Sequence, residues 1–233
     1  MISEPTGTAL LYSGGMLTDL HGKTSHGLLR YSNRFQILGV VDHKHAGQMS
    51  NEIVSNCQND VPIFSDINKA IEGLGKKPDF LVIGLSFHGG QLPESHRGNV
   101  KQALKAGIHV VSGLHQLLGE DPDFAETAKE FGSIIYDIRR PKETKDLSFW
   151  SGKVMDLKTP RIAVLGTDCA LGKRTTCQFL IQACDESNIK AEIIYTGQTG
   201  FLQGFKHGFL FDATLNDFVT GELEKAIMEC DAI

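Results

Sequence analysis

The chain has 233 residues, with 23 Lys and Arg against 28 Asp and Glu, a formal net charge of −5, and 41% apolar residues. That length allows one large domain or two modest ones, and mild acidity without a long basic run points away from a nucleic-acid partner. No apolar stretch nears the roughly 18 residues of a membrane span, the opening MISEPTGTALLYSGG lacks the charged and apolar regions of a secretory signal, and Cys57, Cys169, Cys177, Cys184 and Cys230 form no CxxC pair, so a reduced cytoplasmic protein without disulfides or structural zinc is expected.

In chain order, an apolar strand is predicted at 8-TALLYS-13, then a Gly-rich turn and a helix across 24-TSHGLLRYS-32, with Thr24 or Ser25 as its cap. Strands follow at 36-QILGVVD-42 and 61-VPIFS-65, a helix at 66-DINKAIEG-73, and a strand at 79-DFLVIGLS-86. The apolar run of this last strand is continuous, as expected where both faces are covered. A helix over 94–107, a strand over 108–113, a helix over 122–132 and a strand over 133–138 complete an alternation that argues for a parallel, doubly wound sheet.

The polar segment 139-RRPKETKDLSFWSGKVMDLKTP-160 carries two prolines and no clear period, and reads as a linker. Beyond it a second unit is predicted: a strand at 161-RIAVLGTD-168, a helix at 173–188, a strand at 191-AEIIYTG-197, a Gly-rich stretch over 197–208, and a helix over 216–230. The last residues, 231-DAI-233, read as a strand that has just begun, so this domain is expected to be incomplete. The expected fold is α/β: a Rossmann-like parallel-sheet N-terminal domain over 1–140, a linker over 141–160, and a truncated P-loop-type C-terminal domain over 161–233.

The motif 166-GTDCALGKRTT-176 lies between a predicted strand and a predicted helix. Gly166 and Gly172 let backbone N–H groups turn inward, the helix N-terminus adds partial positive charge, and Lys173 adds a full one. Five residues separate the glycines, where the usual phosphate loop has four. Gly166, Thr167, Asp168, Gly172, Lys173, Arg174, Thr175 and Thr176 are the candidate phosphate-binding residues. In a nucleoside triphosphatase the residue after the Lys is a Ser or Thr that ligates magnesium. Here it is Arg174, which repels a metal cation and binds phosphate directly. The charge pattern therefore favours a phosphate that is held over one that is transferred, while Thr175 and Thr176 keep a magnesium role open in a shifted register.

A second constellation, 196-TGQTG-200 with 212-DATLNDFVTGE-222, falls on predicted strand and loop ends, where ligands gather in open α/β sheets. It holds neutral hydrogen-bonding groups, Gln198 and Thr199, and acids, Asp212, Asp217 and Glu222. The plainer reading is turn chemistry, with Asn216 and Asp217 capping a helix. In the first domain, Asp42 ends the second strand where a dinucleotide-binding unit places its ribose-binding acid, yet 13-SGGMLTDLHGKTSHG-27 contains no GxGxxG. The piece 22-GKT-24 and the loop 86-SFHGGQLPES-95 are lesser candidates for anion or ligand contact. No HxxxH or HExxH spacing marks a metal site.

Taken together, 21-HGKTSHGLLR-30, 166-GTDCALGKRTT-176, 196-TGQTG-200 and 217-DFVTGELE-224 resemble a bacterial and archaeal family long of unknown function. One branch of it looks like the D-glutamate N-acetyltransferases that work beside an N-acetyl-D-glutamate dehydrogenase. The resemblance spans essentially the whole chain, and family members continue past this C-terminus. It implies acetyl-CoA as co-substrate, gripped by Lys173, Arg174 and the loop amides, with Asp217 or Glu222 as base and Gln198 or loop amides as oxyanion donors. It also implies a small-molecule substrate and no nucleic-acid or membrane partner; an uncovered sheet edge would favour a homo-oligomer. The GTD…GK opening is similar to that of dethiobiotin synthetase, which has Thr after the Lys and uses magnesium and ATP. An ATP-dependent ligase or kinase is therefore the alternative, and a non-catalytic nucleotide- or CoA-binding regulatory module the third reading.

Overall fold

The computed structural model describes residues 4–168 and 171–232, in two compact units. The first comprises residues 4–140 together with Leu202–Gly204; the second comprises Pro141–Phe201 and the residues from Phe205 onward.

The first unit is built on six parallel strands: β1 (Gly7–Tyr12), β2 (Phe35–Val41), β3 (Ile63–Phe64), β4 (Phe80–Ile83), β5 (His109–Ser112) and β6 (Ile135–Asp137). Their spatial order, β3-β2-β1-β4-β5-β6, is the doubly wound one, with the switch point between β1 and β4. All four residues of β4 are buried, as its unbroken apolar run requires of a strand covered on both faces. The helices between strands are α1 (Lys23–Arg30), a single turn α2 (Ser50–Ile53), α3 (Ile67–Leu74), α4 (Glu94–Lys105) and α5 (Pro122–Glu130). Leu10, Tyr12, Leu81, Ile83 and Val110 of the sheet meet Ile67 and Ala70 of α3, Val100, Ala103 and Leu104 of α4, and Phe124 of α5 in one core. Asp66 caps α3 by accepting the Lys69 amide at 2.9 Å. Arg97 ties α4 to α5 through both oxygens of Asp121, at 2.7 and 3.0 Å, with its guanidinium 4.3 Å above the Phe124 ring. Two expectations change here. The turn α2 carries too few residues to show a period, and α1 is capped by Gly22, so Thr24 and Ser25 lie buried inside the helix.

The second unit departs further from expectation. Residues 161–166 have no regular secondary structure and pair with no strand among the described residues, and Ile162 and Leu165 are 79% and 85% exposed. An apolar run becomes a strand only where a neighbour takes up its N–H and C=O groups, and among the described residues none pairs with this one. The predicted strand 191–197 shrinks to β7 (Ile194–Tyr195), which pairs in parallel with β8 (His207–Gly208). Between them part of the Gly-rich stretch forms a short helix, α7 (Gln198–Gln203). The other helices are α6 (Lys173–Glu186), which buries no side chain, and α8 (Val219–Asp231), which matches the helix expected over 216–230 and runs on through Asp231, where a strand was expected to begin; Ile233 lies outside the described residues.

The segment read as a linker packs with the second unit. Glu222 of α8 accepts the Lys142 ammonium at 2.6 Å and the Ser148 amide at 3.0 Å, and Glu224 accepts the amides of Ser151 and Val154 at 2.5 and 3.1 Å. Phe149 stacks at 4.3 Å on the buried Phe218. A polar stretch without period can be fixed by carboxylates about 70–80 residues away, and no local pattern signals that.

Candidate functional site

The phosphate loop meets its helix at Gly172, whose φ of 92° lies in the left-handed region, and α6 begins at Lys173 with no side-chain cap. A side chain at 172 would be strained, so glycine here is a backbone requirement. Leaving the first N–H groups of the helix without a side-chain cap is how an anion site is built. Lys173 folds back across the loop: its ammonium donates to the Asp168 carbonyl, and its chain lies so close over Gly166 that a β-carbon there would sit 3.1 Å from Cδ. Gly166 thus leaves room for the lysine to arch over the turn. Thr176 turns its hydroxyl back onto the Gly172 carbonyl at 3.1 Å, while Arg174 and Thr175 are half-buried beside it. Thr167 and Asp168 are exposed at the turn; Cys169 and Ala170 lie outside the described residues. Burial pushes the Cys177 thiol up, away from the thiolate form.

The second constellation separates into two kinds of residue. Gln198 opens α7, half-buried, and Asp217 is exposed in the short turn Asn216–Phe218 that leads into α8. Neither Asn216 nor Asp217 caps α8: its N-cap is Phe218, without a side-chain hydrogen bond. Asp217 thus stands at a helix start with no capping duty. Glu222, only 3% exposed, is engaged by Lys142 and Ser148. Burial pushes its carboxyl up, but the Lys142 ammonium and the Ser148 amide outweigh burial and hold it below the usual range. A carboxylate so held is a poor proton acceptor near neutrality and a good anchor. Glu224, also buried, is held low in the same way by the amides of Ser151 and Val154. Sequence reasoning gave Glu224 and Lys142 no role, and nothing local to them could have supplied one.

The Glu222 anchor has a pH signature. Its folded pKa lies below the unfolded value, so its stabilisation is present above the unfolded value and is lost as pH falls through the folded one. Glu222→Gln should cost about 2 kcal/mol at pH 7, the figure for a charge-assisted bond whose lysine partner stays half in water. Thermal melts should show a midpoint drop of about 4–8 °C at pH 7, shrinking below about pH 4 as the reference carboxyl protonates. An equal drop at pH 3 and pH 7 would remove the ionic role.

Among the described residues, no group of three or more His, Cys, Asp or Glu side chains is placed to hold a metal ion, and no helix is long and apolar enough to cross a membrane. Cys57, Cys177, Cys184 and Cys230 are free thiols.

Residues 43–141 match a family described as a domain of unknown function (DUF1611_N), a Rossmann-like domain, and residues 148–232 match its companion (DUF1611_C), a P-loop domain. The chain belongs to the DUF1611 family. Its two halves are a Rossmann-like and a P-loop domain, as the strand order of the first unit and the Gly172–Lys173 helix start of the second also indicate. A crystal structure of a DUF1611 family protein from Anabaena variabilis superposes with a TM-score of 0.83 at 34% identity, over 95% of this chain and 62% of that one. Among curated relatives, proteins named D-glutamate N-acetyltransferase from Tritonibacter scottomollicae and from a Pseudoalteromonas species are 33% and 32% identical over 144 and 143 residues. Those matches take in 62% and 61% of this DUF1611 chain, and 42% of each relative.

Proposed function

We propose that this DUF1611 protein is a cytoplasmic acetyl-CoA-dependent N-acetyltransferase whose substrate is an acidic amino acid, D-glutamate. The observation that carries the reading is the loop itself: an uncapped helix start at Gly172 with Lys173 and then Arg174 where a magnesium-ligating hydroxyl would stand. The curated relatives' names support the reaction class and the choice of substrate.

Acetyl-CoA brings an activated acyl group together with a pyrophosphate and a 3′-phosphate, none of which is transferred as phosphate. Lys173, Arg174 and the first amides of α6 hold such an anion by charge and by N–H donation, with no metal needed to neutralise it. Acetyl transfer then asks two further things of the chain. A base must remove a proton from the substrate ammonium so that the free amine can attack the carbonyl carbon, and a donor must face the carbonyl oxygen as negative charge gathers there; the C–S bond then breaks and coenzyme A leaves as the thiol, its proton coming from the attacking nitrogen. Of the two acids that the family resemblance offers as base, Glu222 is committed to Lys142 and Ser148, which favours Asp217, at an exposed turn without a capping bond. Gln198, at the first position of α7, is the side-chain donor.

Asp217→Asn should lower kcat/KM for D-glutamate by about 100-fold, at the low end for loss of a positioned base, with the affinity for acetyl-CoA unchanged. Thiol release from acetyl-CoA measures it. An unchanged kcat/KM across pH would remove Asp217 from the mechanism. Tight ATP binding that requires magnesium would instead favour a ligase or kinase.

A further inference from the structure

We infer that the Rossmann-like domain takes no nicotinamide dinucleotide at its switch point, because its own side chains fill the places that the ribose and pyrophosphate would occupy. A doubly wound sheet of this strand order normally binds the ribose hydroxyls on an acid at the end of β2, and the pyrophosphate on the glycine turn and helix N-terminus after β1. Each of those three elements is present here, and each is already engaged.

Asp42 stands at the position of the ribose acid, immediately after β2, and is fully buried. Its Oδ2 accepts the amides of Gly15 and Leu17, both at 3.0 Å, from the turn after β1. Its Oδ1 accepts the amides of Lys44 and His45 and the His45 imidazole at 2.9 Å. A carboxylate with five N–H donors has no lone pair left for a ribose hydroxyl.

The glycine turn is covered. A β-carbon on Gly15 would fall 2.3 Å from Cε1 of His43, and one on Gly14 would fall 2.7 Å from Nδ1 of His96 and 2.9 Å from the Tyr12 hydroxyl. Two imidazoles therefore lie against the two glycines whose bare backbone would otherwise admit a pyrophosphate. His96 is held in place by the Tyr12 hydroxyl at 2.9 Å and by the Phe87 ring at 4.8 Å. Burial, and next the nearby His43, push its pKa down, so it offers a neutral ring where a phosphate would want positive charge.

The helix end is engaged as well. The Ser25 amide, in the first turn of α1, donates to the Gly84 carbonyl at 3.0 Å, and its hydroxyl bonds that of Ser13 at 2.8 Å. His26 closes the same turn from the side, with Nε2 donating to the Leu17 carbonyl at 2.5 Å. The missing GxGxxG is thus accompanied by a positive filling of the site.

The probes are NADH and NADPH, titrated to about 2 mM against the whole chain, read by nicotinamide fluorescence and by thermal midpoint. Neither should give a saturable signal, and the midpoint should move by less than about 1 °C, where a ligand at 100 times its Kd would raise it by several degrees. Saturable binding with Kd below about 0.1 mM, weakened by Asp42→Asn, would overturn the inference. Amide hydrogen exchange supplies a second readout without ligand. The Gly15 and Leu17 amides should be protected, and Asp42→Asn should speed their exchange at least about 10-fold; unprotected exchange at both in the wild-type chain would show the crevice to be open.

Discussion

Replacing Lys173 with alanine should weaken acetyl-CoA binding by about 10- to 100-fold, while leaving thermal stability nearly unchanged. The magnitude follows from one charge-assisted hydrogen bond to phosphate, about 1.5–3 kcal/mol. The specificity follows from geometry. The Lys173 ammonium meets the Asp168 carbonyl at the rim of an exposed turn, so its loss removes no core contact. Calorimetry with acetyl-CoA, with and without magnesium, makes the comparison. The wild-type affinity should be the same in both conditions and should fall as salt rises, since the attraction is between charges near water. Arg174→Ala should act in the same direction. If Lys173→Ala left the affinity untouched, the loop would have no part in holding the co-substrate.

The second large effect concerns stability, and it uses one substitution with opposite outcomes at two helical glycines. In α8, a β-carbon on Gly221 would lie 1.9 Å from the Ser148 carbonyl oxygen and 2.5 Å from the Phe149 carbonyl carbon. Both neighbours are backbone, which cannot rotate aside as a side chain would. Overpacking of this kind costs about 1–3 kcal/mol or more, and the helix propensity of alanine returns only about 1. Gly221→Ala should therefore destabilise by about 1–2 kcal/mol net and lower the melting midpoint by about 2–8 °C. In α4, Gly98 has open space where its β-carbon would stand. Gly98→Ala should raise stability by about 0.5–1 kcal/mol through propensity alone. Chemical denaturation of the two variants tests the pair; a neutral Gly221→Ala would mean that α8 does not approach residues 148–149 so closely.

Gly221 and Glu222 together recast the DFVTGE segment. The sequence presents it as a unit with two acids eligible for catalysis. In the structure Gly221 admits the 148–149 backbone, and Glu222 then bonds the Ser148 amide and Lys142. The glycine and glutamate act as a clamp, while Asp217 stays exposed and does not cap α8. Asp42 underwent the same change of meaning. Its place after β2 is that of a ribose-binding acid, offered without the matching GxGxxG, and its five N–H donors make it the brace of the β1 turn.

What the residues alone determined is the part of the molecule governed by local physics. Continuous apolar runs such as 79-DFLVIGLS-86 had to be strands covered on both faces, and their alternation with amphipathic helices implied the parallel sheet that is observed. The spacing of Gly166, Gly172 and Lys173, with Arg174 next, marked a phosphate loop by chain stiffness and charge, both local properties. Tertiary structure decided everything that depended on a distant partner. Whether 161-RIAVL-165 pairs depends on a neighbouring strand, which its own residues cannot supply. Whether a carboxylate is a base or an anchor depends on which N–H groups reach it and how far water is excluded. Asp217 and Glu222 lie five positions apart in one motif, and only burial and the arrival of Lys142 and Ser148 set them on different courses.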